Sequence, residues 1–585
     1  MQQSAQSHGD GGRKSARPRR SSVMRYAALC LPLVLASVLL ALVTGAEALP
    51  HETALAARGN TVSLPSASNF VVGSIIGQPP TTRHYNFVVS EMKGAPDGFT
   101  KTMLVVNGVF PGPTIEANQG DQIVVHVTNQ LQNRTTIHWH GIYQNGTNYY
   151  DGTASVTECG IPPGQSLTYS FSVADFSGTT WWHALDTQYT DGIEGALIVH
   201  PRAYPKGFPT WDEDLVVELT DVYHTLSAAI AQQYVTGDGP IAPLELETPD
   251  SGAINGIGQY NGSTKYTNFN LKPNKTYRLR LIHMGSAAQI RVSVDYHALT
   301  VIEADSTLTT PLKVAGVTLG VAQRYSVLLT TNQHAEPAGN YWLRAELASP
   351  VAVPGTNADI RAILRYGGGS ALPTTGADPG VPGSGLSDLD SSKLVPAVVK
   401  TPPNPTKSYN VNFTIGGTPS GGTVATMNGT SWTMLKNAAT LVDLWTDARR
   451  GQTFAPEGPS VQLGNQFMIT EDSIQVVDIL LINLGGGAHP FHLHGHTPYI
   501  LGSGPGGFPG SSALNTVDPL TRDTFLVPSQ GWLVFRIVTD NPGMWTIHCH
   551  IQWHMAAGLL MQINSLPSKS AKFNIPQDIL AQCGV

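Results

Sequence analysis

Charge is scarce in this chain. Asp, Glu, Lys and Arg make up 13% of its 585 residues, and acids outnumber bases to leave a formal charge of −7. With no basic excess and no stretch in which Lys or Arg interleaves with aromatics, the sequence argues against a nucleic-acid partner. Cysteine is scarcer still, at four residues, too few for a fold held by a disulfide framework. After Val43 no apolar run reaches the roughly 18 residues that a membrane-spanning helix needs. Few stretches hold a helical apolar period for long. What is plentiful is Gly (60) and Pro (41), which separate short runs rich in Val, Ile, Thr and Tyr such as QIVVHVTNQ, DLVVEL, RYSVLL and WLVFRIV. This is the pattern of strands joined by turns, and it predicts an all-β chain of Greek-key β-sandwiches.

Residues 1–25 are polar and basic, Ala27 to Val43 is apolar, and Ala46-Glu47-Ala48 offers small residues for cleavage. Residues 1–48 therefore read as a secretory signal peptide, with a signal anchor as the alternative, and the expected mature protein is secreted, extracellular and free of a membrane partner. Without those residues, which hold six bases and two acids, the formal charge is −11. What remains is too long for one core. Three domains are expected, at 67–200, 201–366 and 400–585, with a Gly-, Pro- and Ser-rich linker at 367–399.

The chemistry concentrates between Asn541 and Met561, where His548, Cys549, His550 and His554 fall within seven residues. On a strand, alternation sends His548 and His550 to one face and Cys549 to the other, so one strand can serve two metal sites. A thiolate with two imidazoles is the ligand set of an electron-transfer copper. The runs HPFHLHGH (His489 to His496) and HWHG (His138 to Gly141) supply further pairs at i, i+2. His138 lies nine residues after Asn129 and His492 nine after Asn483, and the frame Gly178 to His183 returns at Gly543 to His548 and, with Arg344 in the histidine's place, at Gly339 to Arg344. The chain reads as three related units with ligands in the first and third only.

HWHG, WWH followed by QYTDG, HPFHLHGH and HCHIQWH, in this order over nearly all of the mature chain, resemble the four copper motifs of the multicopper oxidases, the fungal laccase branch in particular. The resemblance implies cupredoxin-like domains, four coppers, and one-electron oxidation of phenols, diphenols or arylamines coupled to reduction of O2 to water. It implies a type 1 copper at His489, Cys549 and His554, with the non-ligating Leu559 at the axial position. The trinuclear cluster would use His138 and His492 (type 2) and His140, His183, His494, His548 and His550 (type 3). Cys549 shares peptide bonds with His548 and His550, a covalent route between the two centres. Asp221 is expected beside a type 1 histidine as a substrate carboxylate, with an ordinary cap or turn role as the alternative. His489 is expected to expose a ring edge to the donor, and Asp151 to assist proton delivery to oxygen. His496, His283 and His224 lack paired context and read as residues that support the ligands from behind or as packing residues.

One departure stands out. The second motif normally holds His-x-His, but here His183-Ala184-Leu185-Asp186 leads into Gln188-Tyr189, so one type 3 histidine is missing. A sequence error, an impaired paralogue, and a loop in which Asp186 or water fills the gap all remain open. Cys30 leaves with the signal and Cys549 is assigned to copper, so Cys159 and Cys583 should pair in an oxidising compartment. Six sequons, at Asn133, Asn145, Asn261, Asn274, Asn412 and Asn428, are compatible with a glycoprotein. A ferroxidase, an ascorbate oxidase and an inactive copper-binding protein are the rival readings. The first is disfavoured by Thr190 where fungal ferroxidases carry Glu. A monomer is expected.

Overall fold

The computed structural model describes residues 61–336, 338–349, 354–452 and 456–585; the proposed signal segment and Cys30 lie outside them. Six sheets fall along the chain in three successive pairs, as the all-β expectation requires. In the first pair, Thr82–Gly94, Lys101–Val106, Gln122–Asn129 and Ser166–Ser172 form one sheet, and Ile115–Asn118, Glu194–His200, Gly178–His183 and His138–Trp139 the other. Alternation drives the packing. Along Gln122–Asn129 the buried residues Ile123, Val125 and Val127 alternate with more exposed partners. They meet Trp139, Trp182, Leu197 and Val199 from the second sheet in one core. Strands whose two faces are both covered, such as Gly178–His183 and Gly543–Cys549, are buried throughout.

The repeats seen in the letters have structural counterparts. Asn129 donates through Nδ2 to the carbonyl of Asn133 and accepts through Oδ1 from Leu131 N–H; Asn483 does the same with Gly487 and Gly485. Each asparagine thus holds the turn that leads into a histidine pair. The frame glycines Gly178, Gly339 and Gly543 all have positive φ (139°, 62° and 148°), and a Cβ on Gly543 would lie 2.5 Å from the side chain of Asn148. Where the middle unit has Arg344, the guanidinium pairs with buried Asp295 at 2.7 Å, an ion pair where the other units place imidazole.

The expected linker segment is pinned at several points. Arg291 bonds Asp378 at 2.9 Å and Asp388 at 2.7 Å, and Asn340 donates to the carbonyls of Gly369 and Ala371. Its Gly and Pro content suits an extended path, but these polar anchors hold that path against the middle sheets. Cys159 and Cys583 form a disulfide across 424 residues of sequence, joining the first sandwich to the last helix, Gln577–Gln582. Among the described residues no helix is long and apolar enough to cross a membrane.

Candidate metal centre

Cross-strand register assembles the centre. His138 pairs with His183, His492 with His548, and Phe491 with Cys549. Alternation along Gly543–Cys549 then separates the two sites as expected. On one face, Cys549 Sγ lies 3.8 Å from His489 Nδ1 and 3.5 Å from His554 Nδ1, with the two ring nitrogens 3.1 Å apart. His554 comes back toward the sulfur on the short helix Gln552–Ala556. That return is closed by Leu559 N–H to His554 carbonyl and Cys549 N–H to Leu559 carbonyl. Leu559 is fully buried and has no atom to donate. Met555 and Met561, which flank it in sequence, belong to hydrophobic clusters.

His489 donates through Nε2 to the Gly486 carbonyl at 3.0 Å, and His554 donates through Nε2 to Glu247 Oε1 at 3.2 Å. Each ring therefore carries its proton away from the sulfur and leaves Nδ1 as a lone-pair donor toward it. The expectation of an exposed His489 edge is corrected here. The residue is 3% exposed, because its Nε2 is spent on a backbone carbonyl. Asp221 is also elsewhere. It is buried, and its carboxylate accepts three backbone N–H groups, from Ser286 (2.8 Å), Ala287 (2.8 Å) and Ala288 (2.9 Å), so it closes a loop and is not the carboxylate bonded to His554. That place belongs to Glu247, at the end of the helix Pro243–Glu247, which also accepts from the Tyr234 hydroxyl.

On the other face seven imidazoles converge. His140 stacks on His492 (ring centres 3.6 Å) and His138 on His494 (3.9 Å), while His183 lies 5.3 Å from His138 and 5.2 Å from His550. Outer hydrogen bonds set their tautomers. Nδ1 donates to the Asp151 carbonyl from His138 (2.7 Å), to the Ala184 carbonyl from His183 (3.0 Å) and to the Asp523 carbonyl from His492 (2.9 Å). His140 donates through Nε2 to Asp523 Oδ1 at 3.1 Å. The opposite nitrogens, Nε2 of His138, His183 and His492 and Nδ1 of His140, are buried and have no hydrogen-bond partner among the described residues, and neither has either nitrogen of His550. Buried lone pairs left unpaired and aimed at a common space are costly unless a cation takes them, and imidazole donors with a thiolate nearby suit copper. Burial and mutual repulsion push the rings of His140, His183, His492 and His550 well below their ordinary basicity, which keeps them neutral and ready to ligate.

Asp151 accepts from His494 Nδ1 at 2.8 Å and from Thr153 Oγ1 at 2.8 Å, and lies 3.5 Å from His138 Nδ1. Burial opposes its ionisation, but the rings of His494 and His138 hold its carboxyl well below the usual range. Asp523 and Arg324 escaped the sequence reading. Arg324 grips Asp523 in a two-pronged pair at 2.6 and 2.5 Å, so the middle sheets position the carboxylate that orients His140. A lone Asp in TRDTF, 199 residues from its Arg, carries no motif that could have pointed to this. His496, His283 and His224 are tied to a backbone carbonyl, a backbone carbonyl and Asp97 respectively, in keeping with a packing role. Asp186 is in none of the clusters of converging ligand atoms.

Family profiles described as multicopper oxidase match residues 88–204, 213–369 and 433–569. Laccase-2 of Agaricus bisporus is 36% identical over 523 residues, covering 86% of this chain and 94% of the relative. Laccase-5 of Trametes villosa is 34% identical over 521 residues, covering 85% and 92%. Among solved structures, Fet3p, described as a multicopper oxidase that functions in iron import, aligns with TM-score 0.74 at 27% identity, covering 86% of this chain and 94% of that one. The laccase from Botrytis aclada aligns with TM-score 0.72 at 30% identity, covering 86% and 91%. These neighbours share the cupredoxin-like sandwich fold.

Proposed function

The chain belongs to the multicopper oxidase family and is a copper oxidoreductase with O2 as its acceptor, and we propose that within the family it acts as a laccase, taking single electrons from small phenols, diphenols or arylamines. Copper held by His489, Cys549 and His554 would supply a one-electron acceptor, and copper held by the seven-imidazole cluster would supply the reduction of O2 to water. The chain's own residues do the rest. Cys549 is covalently continuous with His548 and His550, so the two ligand sets share one stretch of backbone. Asp151, which accepts from His494 Nδ1, would be the carboxylate that relays protons toward the cluster.

The observation that carries the choice of substrate is Glu247. It is the carboxylate bonded to a type 1 ring, and the residues that precede it, Ile241 and Leu244, are exposed apolar side chains (45% and 56%). A donor that settles on that rim presents an O–H or N–H to a carboxylate and an aromatic ring to hydrocarbon, the combination phenols and arylamines offer. Fe(II) fits less well. A hard cation wants several free oxygens, and Thr190, at the position in question, is buried with its hydroxyl bonded to Ser286 at 2.7 Å. Secretion is part of the same proposal, on the basis of the basic-then-apolar N-terminal segment and the Cys159–Cys583 bridge. Oxygen uptake by the copper-loaded protein with a simple diphenol, Fe(II) and ascorbate as alternative donors tests the assignment: uptake fastest with the diphenol supports it, and uptake confined to Fe(II) or ascorbate rejects it.

A further inference from the structure

This inference rests on the copper reading above and concerns the place where the chain departs from its family. His494 and His548 are a pair apart within the cluster. Their Nε2 atoms face each other at 3.2 Å, while Nδ1 of His494 donates to Asp151 and Nδ1 of His548 donates to the Cys549 carbonyl at 3.0 Å. Both outer protons being placed, the two Nε2 lone pairs point at one spot, as two ligands of one ion do. Among the described residues no third protein ligand converges with both: the clusters of three His, Cys, Asp or Glu whose ligand atoms lie mutually within 4.8 Å include His494 with His138 and His492, and none includes His548 or His550.

The segment that would have to supply the third donor is Ala184-Leu185-Asp186. Ala184 has no donor atom beyond its backbone, and its carbonyl is taken by His183. Leu185 packs into an apolar cluster with Trp432, Met555 and Leu560, and Leu560 is the cross-strand partner of His548, so hydrocarbon lies on that side of the ring. Asp186, at φ 76°, a conformation that costs a non-glycine residue about 1–3 kcal/mol, belongs to no cluster of converging ligand atoms among the described residues. The shortened loop therefore does not bend a substitute ligand into the site.

We propose that His494 and His548 form a two-imidazole copper position with an open face, which takes its third ligand from solution, a small neutral nitrogen donor of the imidazole class. A copper held by two imidazoles binds more weakly than one held by three, so it leaves first. Copper held by the remaining imidazoles, where the ligand atoms of His138, His140 and His183 converge, would then lack a neighbouring ion to couple with.

The test is metal analysis and electron paramagnetic resonance on the full copper-loaded protein after dialysis against a mild chelator, before and after adding Cu(II) with imidazole. The expected result is about three coppers per chain, all visible by resonance, rising to about four on addition while the visible number falls to about two. An insertion of His between Ala184 and Leu185 should hold the fourth copper without imidazole and cease to respond to it. If that variant does not fold, the imidazole response of the native chain decides alone. Four coppers retained through dialysis, with no response to imidazole, would overturn the proposal while leaving the oxidase reading intact. A chain that takes up no copper and shows no thiolate-to-copper absorption would overturn both.

Discussion

Glu247→Gln keeps the volume of the side chain and removes its charge and its capacity to take a proton. The native carboxylate accepts from His554 Nε2 and from the Tyr234 hydroxyl. Both bonds fall on Oε1, which the amide oxygen can replace, so folding should lose only the charge assistance of these bonds, about 1–2 kcal/mol. A phenol that gives up its electron must also shed its proton. Losing the positioned base should lower phenol kcat/KM by about 10²–10⁴-fold, the typical worth of general base catalysis. A donor that releases an electron without a proton, such as a ferrocyanide-type complex, has no use for the base and should change by less than about threefold. The assay is oxygen uptake by native and variant protein with a series of para-substituted phenols and with the complex, at matched copper content. Equal falls with both donors would refute the reasoning, because the loss would then lie in the metal site and not in proton acceptance.

Leu559→Met places a thioether where the native protein has hydrocarbon, and should lower the reduction potential of the thiolate site by stabilising its oxidised state; a redox titration of the Cys549 absorption band checks this. Glu218 supplies a pH test remote from the metals. Burial pushes its carboxyl up to about 8, and one of its oxygens has no partner among the described residues. Because the folded value exceeds the unfolded one of about 4.3, the stabilising contribution of its neutral form is complete below that lower value and is lost as pH rises through about 8. Glu218→Gln should therefore flatten the decline of denaturant stability between these limits by a few kcal/mol, at most about 1.4 kcal/mol for each pH unit. A decline unchanged in the variant would assign it to other groups.

The convergence of the histidines was legible because a strand imposes a period. Histidines at i, i+2 share a face, and one cysteine between two histidines must face away from them. The three-unit plan was legible for a similar reason, since Asn129 and Asn483 do the same backbone work at the same spacing. The residues that tune the site were not. Glu247 sits in PLELE, a short helix with no periodic or motif signal, and reaches His554 only through the packing of the middle sheets against the last pair. Asp523 and Arg324 meet across 199 residues. Asp221 was open between a substrate carboxylate and a cap or turn residue; which backbone amides a loop turns toward a side chain is decided by tertiary closure, and the N–H groups of Ser286, Ala287 and Ala288 favour the second.

The account stands on the Cys549 sulfur as a metal ligand flanked by His489 and His554, and one spectrum addresses it directly. Copper-loaded native protein should show an intense thiolate-to-copper absorption band, and Cys549→Ser should abolish that band while the imidazole cluster still retains copper. A native protein that binds copper without the band, or a variant that keeps it, would contradict the account.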